Sequence, residues 1–364
     1  MKPYKFIISG GGTGGHIYPA IAIANELKQR FPDAHFLFVG AKDRMEMDKV
    51  PQAGYSIKGL WISGFQRGQL FKNLLIPLKL IASLVKSFVI LRAFKPDVVI
   101  GTGGYASAPL LRTAAWIGVP CLIQEQNGYA GVTNKLLRQH VQKICVAYGQ
   151  MERFFPADKL VFTGNPVRKD LLADLPNRQV ALDYFNINSN SSKVLLVLGG
   201  SLGARRINEL IASRLSYFAD NNLTLIWQCG SAYFADNKSR SAPEVIILPF
   251  IEDMSMAYAA ADFVISRSGA LSVSELCLVA KPVVFVPSPN VAEDHQTKNA
   301  MALVDEHAAI MIPESELDQS FEGVFDQLLN DLTLQRKLTD GLRRCARPMA
   351  TSVIADEVVK LIKN

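Results

Sequence analysis

The chain contains the same unit twice: an apolar strand, a glycine turn and an amphipathic helix. The first copy, FIISGGGTGGHIYPAIAIANEL, begins at Phe6, and the second, KVLLVLGGSLGARRINEL, begins at Lys193. Apolar runs alternate with helical patterns after both copies, which is typical of parallel sheets covered by helices on both faces. The sequence therefore predicts an α/β protein in which one architecture is used twice.

The length supports two domains, because 364 residues exceed one ordinary hydrophobic core. Pro166 and Pro176 interrupt helix in the stretch 164–179, which is the predicted linker. Ligands of such sheets bind at the carboxyl ends of strands, so we expect a cleft shared by the two halves. Beyond the two opening strands, further strands are predicted near residues 35–39, 98–100, 120–124, 143–146, 160–162, 223–228, 245–248, 263–266, 283–286 and 309–312.

Composition excludes several classes of protein. A hydrophobic content of 49% with 20% charged residues is typical of a globular chain. The apolar run before Ser9 is too short for a secretory signal, so none is expected. No cysteine lies in a C-x-x-C or Cys/His ligand spacing, which predicts reduced thiols in a cytoplasmic protein and no structural metal.

The net charge of +6 is unevenly distributed. Residues 49–95 contain no Asp or Glu but carry eight Lys or Arg side chains. One-sided charge of this kind indicates an anionic partner, which at this point could be a membrane, a nucleic acid or a phosphate group.

The opening glycine loop has two further interpretations besides a bare turn. Gly10, Gly12 and Gly15 satisfy the dinucleotide fingerprint G-x-G-x-x-G, but that site needs an acidic residue at the end of the second strand. Asp43 comes late and lies between Lys42 and Arg44. The sequence therefore disfavours NAD or FAD, and no cofactor is expected. A polar or phosphate-bearing substrate at the helix N-terminus fits the loop better.

Three more glycine turns follow predicted strands: IGTGGYASAP, LGGSLGA and SRSGALSVSE. Glycine lets the backbone approach a ligand closely, and the N–H groups of a helix start favour anions. None of these loops is a Walker A motif. Four loops of this type in one chain are much stronger evidence for a polar or phosphate-bearing substrate than one loop.

An ordered set of motifs identifies a resemblance. GGTGGHIYPA, GTGGYASAP, EQNGYAGVTNK, GNPVR, GGSLGARRIN, FIEDM, RSGALSVSE and EDHQTKNA occur in sequence, and this pattern closely resembles the MurG family of bacterial glycosyltransferases over nearly the whole chain. The resemblance implies a GT-B fold, in which two Rossmann-like domains with parallel sheets face a central cleft. It implies residues 1–164 as an acceptor and membrane-side domain, on which a helix of about residues 348–364 packs, and residues 165–347 as the UDP-GlcNAc-binding domain.

The implied reaction is the inverting transfer of GlcNAc from UDP-GlcNAc to lipid I, giving lipid II, without a tightly bound metal. Implied partners are these two substrates and anionic lipids on the cytoplasmic face of the inner membrane, where the protein would be peripheral. Nucleic acid is not among them, and cell-wall or division proteins are allowed as further partners. There are two alternatives. One is a non-hydrolysing UDP-GlcNAc epimerase of the same fold, and the other is a basic binding module.

The resemblance also implies roles for individual residues. Glu275 would bind the ribose hydroxyls, the Ile251 backbone the uracil edge, and Gln296, with His295 and Asn299, the sugar. Arg168, Ser201 and the amides near Gly200 and Gly203 would hold the diphosphate. The remaining donor-side residues belong to the run that precedes Glu275: Ala270, Leu271, Ser272, Val273 and Ser274.

On the acceptor side, Thr13, Gly14, Gly15 and Asn127 would border the sugar and the acceptor. Two residues are candidates for the general base: His16, because histidine titrates near neutral pH, and Glu125. Many relatives carry His-Glu-Gln-Asn where this chain has Gln124-Glu125-Gln126-Asn127, so a histidine at position 124 is not essential here.

The segment 70–92 is apolar but contains Lys72, Lys79 and Lys86 at intervals of seven. Charges within it disfavour a transmembrane helix. One interpretation is an interfacial helix with apolar residues in lipid and lysines on anionic headgroups. The alternative is an ordinary helix on the first sheet with its lysines outward.

Overall fold

The computed structural model describes residues 2–64, 74–168, 171, 175–188, 193–200 and 202–363. The chain divides into two compact units, one of residues 1–168 with 347–364 and the other of residues 169–346. Each unit is built on its own parallel sheet, as the repeated strand–turn–helix unit predicts. The predicted α/β class is therefore confirmed.

The first unit has seven parallel strands in the order β3-β2-β1-β4-β5-β6-β7. These are β1 (Lys5–Gly10), β2 (His35–Ala41), β3 (Ile57–Leu60), β4 (Val98–Gly103), β5 (Cys121–Glu125), β6 (Lys143–Val146) and β7 (Leu160–Phe162). Its helices are α1 (Gly14–Arg30), α2 (Glu46–Gln52), α3 (Ile76–Phe94), α4 (Ser107–Trp116), α5 (Val132–Leu137) and, from the end of the chain, α15 (Ala350–Lys363).

The second unit has six parallel strands in the order β10-β9-β8-β11-β12-β13. These are β8 (Lys193–Leu198), β9 (Leu223–Gln228), β10 (Val245–Leu248), β11 (Phe263–Ser266), β12 (Val283–Phe285) and β13 (Ile310–Met311). Its helices are α6 (Arg178–Tyr184), α7 (Arg205–Ser213), α8 (Leu215–Asp220), α9 (Ser231–Asn237), α10 (Met254–Ala260), α11 (Ala270–Val279), α12 (His295–Val304), α13 (Leu317–Asn330) and α14 (Leu332–Cys345).

Strand β1 explains why the sheet is apolar on both faces. Side chains alternate along a strand, so Phe6 and Ile8 pack into one core and Ile7 into the other. Strand β1 lies between β2 and β4, with Phe6 opposite both Phe36 and Val98. The chain reverses its direction of winding at this strand, and the loops after β1 and β4 consequently lie side by side.

The sequence did not predict β3. It is a four-residue strand at the sheet edge, and it contains Lys58 and Gly59. Short edge strands with charged residues and glycine lack the apolar run by which the other strands are recognised.

Helix α3 covers part of the segment 70–92, whose residues 70–73 lie outside the described part. Pro77 occupies the first turn and begins the helix. Of the two described lysines, Lys86 is exposed and Lys79 is half-buried, and both are hydrogen-bonded within the first unit. Lys79 Nζ donates to Ser63 Oγ at 2.9 Å, and Lys86 Nζ donates to the Gly59 carbonyl at 2.7 Å. Among the described residues, no helix combines the length and apolarity that crossing a bilayer requires.

The last helix, α15, completes the first unit. Ile354, Ala355 and Val358 are fully buried in the same core as Phe6 and Ile8. Arg30, at the end of α1, donates to Ser352 Oγ at 2.7 Å and pairs with Asp356. The core that contains Phe6 and Ile8 is thus built from residues near both ends of the chain.

Ile354→Ala should therefore lower the free energy of unfolding by about 2–5 kcal/mol, because a fully buried isoleucine leaves a cavity on truncation. Urea unfolding monitored by circular dichroism measures the change. Ile362→Ala, on the same helix and only partly buried, is the matched control and should cost clearly less. Equal stability of Ile354→Ala and the unaltered protein would contradict the packing described.

Candidate active site

The carboxyl edge of the first sheet is formed by the loops after β1, β4 and β5. Thr13 is the extended N-cap residue of α1, and its carbonyl accepts from the amides of His16 and Ile17 at 3.1 and 3.2 Å. Gly11 N donates to the Gly103 carbonyl at 3.3 Å, which ties the first loop to the second. The first-turn amides of α1, including Gly14 and Gly15, therefore face the same edge as β4 and β5.

Glu46 fixes the opening glycine loop through hydrogen bonds to backbone amides. Its carboxyl group is only 1% exposed, and it accepts from Gly12 N and Ala41 N, each at 2.9 Å. Sequence reasoning missed this residue, because nothing in the sequence joins an acid after β2 to a glycine after β1. The Gly12 N–H is already hydrogen-bonded to Glu46. The amides of this loop that are suited to bind a ligand are therefore those of the next residues, at the start of α1.

His16 is half-buried in the first turn of α1 and is fixed at three points. Its Nδ1 lies 2.9 Å from Gln126 Oε1, and its carbonyl accepts from Thr102 Oγ1 at 2.7 Å. The ring lies against Gly103, where a Cβ would come within 2.7 Å of both Cε1 and Nδ1. Only glycine leaves space for the imidazole at that position.

Glu125, the other candidate base, is enclosed. It is 1% exposed, and Oε2 accepts from Gly131 N and Asn134 Nδ2, both at 2.9 Å. Oε1 accepts from Asn127 N at 3.2 Å. The carboxyl group therefore holds the loop 127–131 and the start of α5 in place, and half-buried Asn127 is positioned by it.

The second unit has an equivalent edge after β8, β9, β11 and β12. A cavity of about 520 Å³ lies there, and its lining includes Gly199, Gly203, Arg205, Arg267 and Gln296. Gln296 is oriented by Ser288, whose N–H donates to Gln296 Oε1 at 2.9 Å. Ser201 lies outside the described residues. The lining is polar and basic, as a phosphate-bearing ligand requires.

Arg267 is a cavity residue that sequence reasoning missed. It donates to the carbonyls of Val286 and Pro287 at 2.9 and 3.0 Å and pairs with Glu314 at 2.6 Å. The arginine immediately after β11, within SRSGALSVSE, was the available signal. It joins the end of β11 to the segment after β12 and fixes the shape of the cavity.

The other residues that the resemblance assigns to the donor lie on α11, on α12 or after β10. Glu275 is half-buried, and its Oε2 accepts from the fully buried Tyr258 hydroxyl at 3.1 Å. Ile251 is buried, and its N–H donates to Gln228 Oε1 at 3.3 Å. Asn299 is fully buried and donates to the Ser268 carbonyl, so it supports the loop from inside. The run before Glu275 forms the first turns of α11, where Val273 is buried and Ala270, Leu271, Ser272 and Ser274 are half-buried.

Comparison with known proteins places this geometry in a family. The model of the glycosyltransferase family 28 N-terminal domain matches residues 6–146, and that of the family 28 C-terminal domain matches residues 194–343. A protein of Flavobacterium psychrophilum, named UDP-N-acetylglucosamine–N-acetylmuramyl-(pentapeptide) pyrophosphoryl-undecaprenol N-acetylglucosamine transferase, is 59% identical over 100% of this chain and 99% of its own length.

The chain belongs to glycosyltransferase family 28. A solved structure agrees: the crystal structure of MurG from Acinetobacter baumannii is 30% identical and covers 98% of this chain and 100% of its own, with a TM-score of 0.79. A UDP-N-acetylglucosamine 2-epimerase structure has a TM-score of 0.66 at 15% identity over 98% of this chain and 96% of its own, which shows the fold alone. The predicted MurG resemblance and GT-B fold class, with two Rossmann-like domains, are confirmed.

Glu125→Gln tests the supporting role that the geometry gives this residue in the MurG-family chain. The amide nitrogen of glutamine would face N–H donors whichever way it turns, leaving a buried donor unpaired at a cost of about 1–3 kcal/mol. The midpoint of urea unfolding should fall accordingly. Glu152→Gln, an exposed position in the same unit, should leave it unchanged. If the two variants unfold alike, Glu125 does not hold the loop.

Proposed function

We propose that this chain transfers N-acetylglucosamine from UDP-GlcNAc to the MurNAc 4-hydroxyl of lipid I, giving lipid II in peptidoglycan synthesis, with inversion at the anomeric carbon. The observation that carries the proposal is the 59% identity, over the whole chain, to a relative named for this transfer. The proposal is also supported by the two carboxyl edges, which carry groups of the kinds that such a reaction uses.

Residues 165–347 are proposed to bind the donor. Glu275, held by Tyr258, would accept from the ribose hydroxyls, and Ile251 would present its backbone to the uracil. The amides of Ala270 and Leu271 open helix α11 and would bind the diphosphate together with Arg168 and Ser201. Gln296 lines the cavity and would face the sugar.

The leaving group gains negative charge as the glycosidic bond to UDP breaks. Preorganised amides and cations at that position stabilise the charge as it develops, often the largest single contribution to catalysis. The N-terminus of α11 and two of the arginines that line the cavity, Arg205 and Arg267, are suited to that task. Arg267 is held rigidly by two carbonyls and Glu314, so its position needs little reorganisation.

Residues 1–164, with the helix near 348–364, are proposed to bind the acceptor. The start of α1, with Thr13, Gly14 and Gly15, would receive the lipid I diphosphate, and Asn127 would border the sugars. His16 is proposed as the base that takes the proton of the acceptor hydroxyl as it attacks. Glu125 is the poorer candidate, because three N–H donors occupy its oxygens and it is 1% exposed.

The purified protein should release UDP and form lipid II when supplied with UDP-GlcNAc and a lipid I analogue. His16→Ala should lower kcat by roughly 10²–10⁴-fold, the usual contribution of a general base, while the KM for UDP-GlcNAc stays close to normal. His35→Ala, at an exposed position, is the control. Conversion of UDP-GlcNAc to an epimer without acceptor, and no lipid II, would instead favour the epimerase alternative.

We also propose a peripheral position on the cytoplasmic face of the inner membrane, where α3 contacts lipid. Leu78, Ile81, Val85 and Val89 are spaced as one helical face and are 54–61% exposed. Single exposed apolar residues are ordinary, but a continuous exposed face marks an interaction surface. Since Lys79 and Lys86 are bonded within the unit, the apolar face rather than these lysines is the proposed contact.

The triple variant Leu78→Gln, Ile81→Gln, Val85→Gln should lose most of its binding to vesicles that contain anionic lipid, at least about tenfold, because each inserted apolar side chain contributes on the order of 1 kcal/mol. Vesicle co-sedimentation measures it. The matched control is Val180→Gln, Tyr184→Gln, Leu332→Gln, which replaces similarly exposed apolar residues of the second unit. Equal binding by the first triple variant and the unaltered protein would refute α3 as the contact.

A further inference from the structure

The carboxamide of Gln126 has only one orientation that its surroundings allow. Its Nε2 lies 2.8 Å from the Thr102 carbonyl and 3.1 Å from the Gln124 carbonyl. Main-chain carbonyl oxygens can only accept hydrogen bonds, so the group that faces them must be the donor NH₂. The flipped amide would place its oxygen against two carbonyl oxygens.

Two further amides hold this orientation. Gln124 Oε1 accepts from Gln126 Nε2, and Gln124 Nε2 donates to Asn165 Oδ1 at 2.9 Å. Asn165 Nδ2 in turn donates to the Gln126 carbonyl at 3.0 Å. All three residues are at most 2% exposed, so bulk water does not compete for these hydrogen bonds. Donation therefore runs in one direction, from Gln126 to Gln124, from Gln124 to Asn165, and from Asn165 back to the Gln126 main chain.

This direction decides the state of His16. Gln126 Oε1 points at His16 Nδ1 from 2.9 Å, and an amide oxygen can only accept. The hydrogen must therefore be on Nδ1. A neutral imidazole carries one N–H, so Nε2 is the nitrogen with the available lone pair. Gly103 beneath the ring and Thr102 Oγ1 on the His16 carbonyl keep the ring in this position.

We propose that Gln126 is a positioning residue, which fixes His16 as its Nδ1–H tautomer with Nε2 as the proton acceptor. The catalytic consequence rests on the proposed function: as the acceptor oxygen forms its bond to the anomeric carbon, its proton passes to Nε2 while the bond to UDP breaks. The tautomer itself does not rest on that function, because it follows from contacts within the first unit.

The direct test is the long-range ¹H–¹⁵N correlation spectrum of the unaltered protein labelled with ¹⁵N-histidine, recorded where the imidazole is neutral. The chain has five histidines, and a spectrum of His16→Asn identifies the His16 signals. We expect a protonated Nδ1 and an unprotonated Nε2. A protonated Nε2 with an unprotonated Nδ1 would overturn the proposal whatever the enzyme's activity.

The kinetic test is Gln126→Met, which keeps the approximate length of the side chain but removes the acceptor. The His16 tautomer should no longer be fixed, and kcat for transfer should fall about 10–100-fold, within the roughly 10²–10⁴-fold that a general base contributes. The KM for UDP-GlcNAc should not change, which separates positioning from a general loss of structure. An unchanged kcat would refute the role of Gln126.

Gln142→Met is the matched control, because Gln142 also accepts a hydrogen bond, from Cys121 N at 2.7 Å, but at the opposite end of β5. It should retain normal kcat and the normal His16 spectrum. If Gln126→Met does not fold, the spectrum of the unaltered protein decides alone. If the tautomer is fixed as Nδ1–H but the protein transfers no GlcNAc, the proposed function is rejected and the tautomer assignment stands. If transfer is normal but the other tautomer is found, the tautomer assignment is rejected and the proposed function stands.

Discussion

The buried backbone N–H groups at the carboxyl edge of the first sheet need hydrogen-bond acceptors, and in this chain side-chain carboxylates provide them. Strands β1, β4 and β5 end inside the protein, where an unpaired N–H costs about as much as a lost hydrogen bond. Glu46 pairs the amides of Gly12 and Ala41, and Glu125 pairs those of Asn127 and Gly131. The loops that contain the candidate site residues keep their conformation because these carboxyl groups are hydrogen-bonded to their backbone amides.

The fold could be predicted because its signal is local. Strands buried on both faces are continuous apolar runs, as Phe6, Ile7 and Ile8 show by packing into two different cores, and each glycine turn marks where a strand ends. Strand β3 was missed because Lys58 and Gly59 interrupt its only four residues. Periodicity also placed Lys79 and Lys86 on one helical face, but it could not tell which face meets the sheet edge. Their bonds to Ser63 and Gly59 depend on that tertiary choice.

The candidate site was predictable as a set of loops but not as a set of contacts. Glycine after a strand identifies His16 and the start of α1 from sequence alone. The partners of these loops lie far along the chain: Glu46 is 34 positions from Gly12, and Gln126 is 110 positions from His16. Such pairs follow from sheet order, which brings the ends of β1, β4 and β5 together. Glu125 illustrates the same limit, since its sequence neighbourhood suits a base and only its burial reveals a supporting role.

The partner of His16 also bears on the catalytic role that we propose for this residue. In Ser-His-Asp enzymes a carboxylate orients the histidine and stabilises the imidazolium that forms. Here the partner is the neutral amide of Gln126, which orients the ring but offers less stabilisation to a positive charge. If His16 is the base, as we propose, this arrangement would contribute mainly by placing an unprotonated Nε2 at the acceptor hydroxyl. The proposal then assigns the larger part of the lowering of the barrier to the departing diphosphate, where fixed groups such as Arg267 and the N-terminus of α11 would meet the charge as it develops.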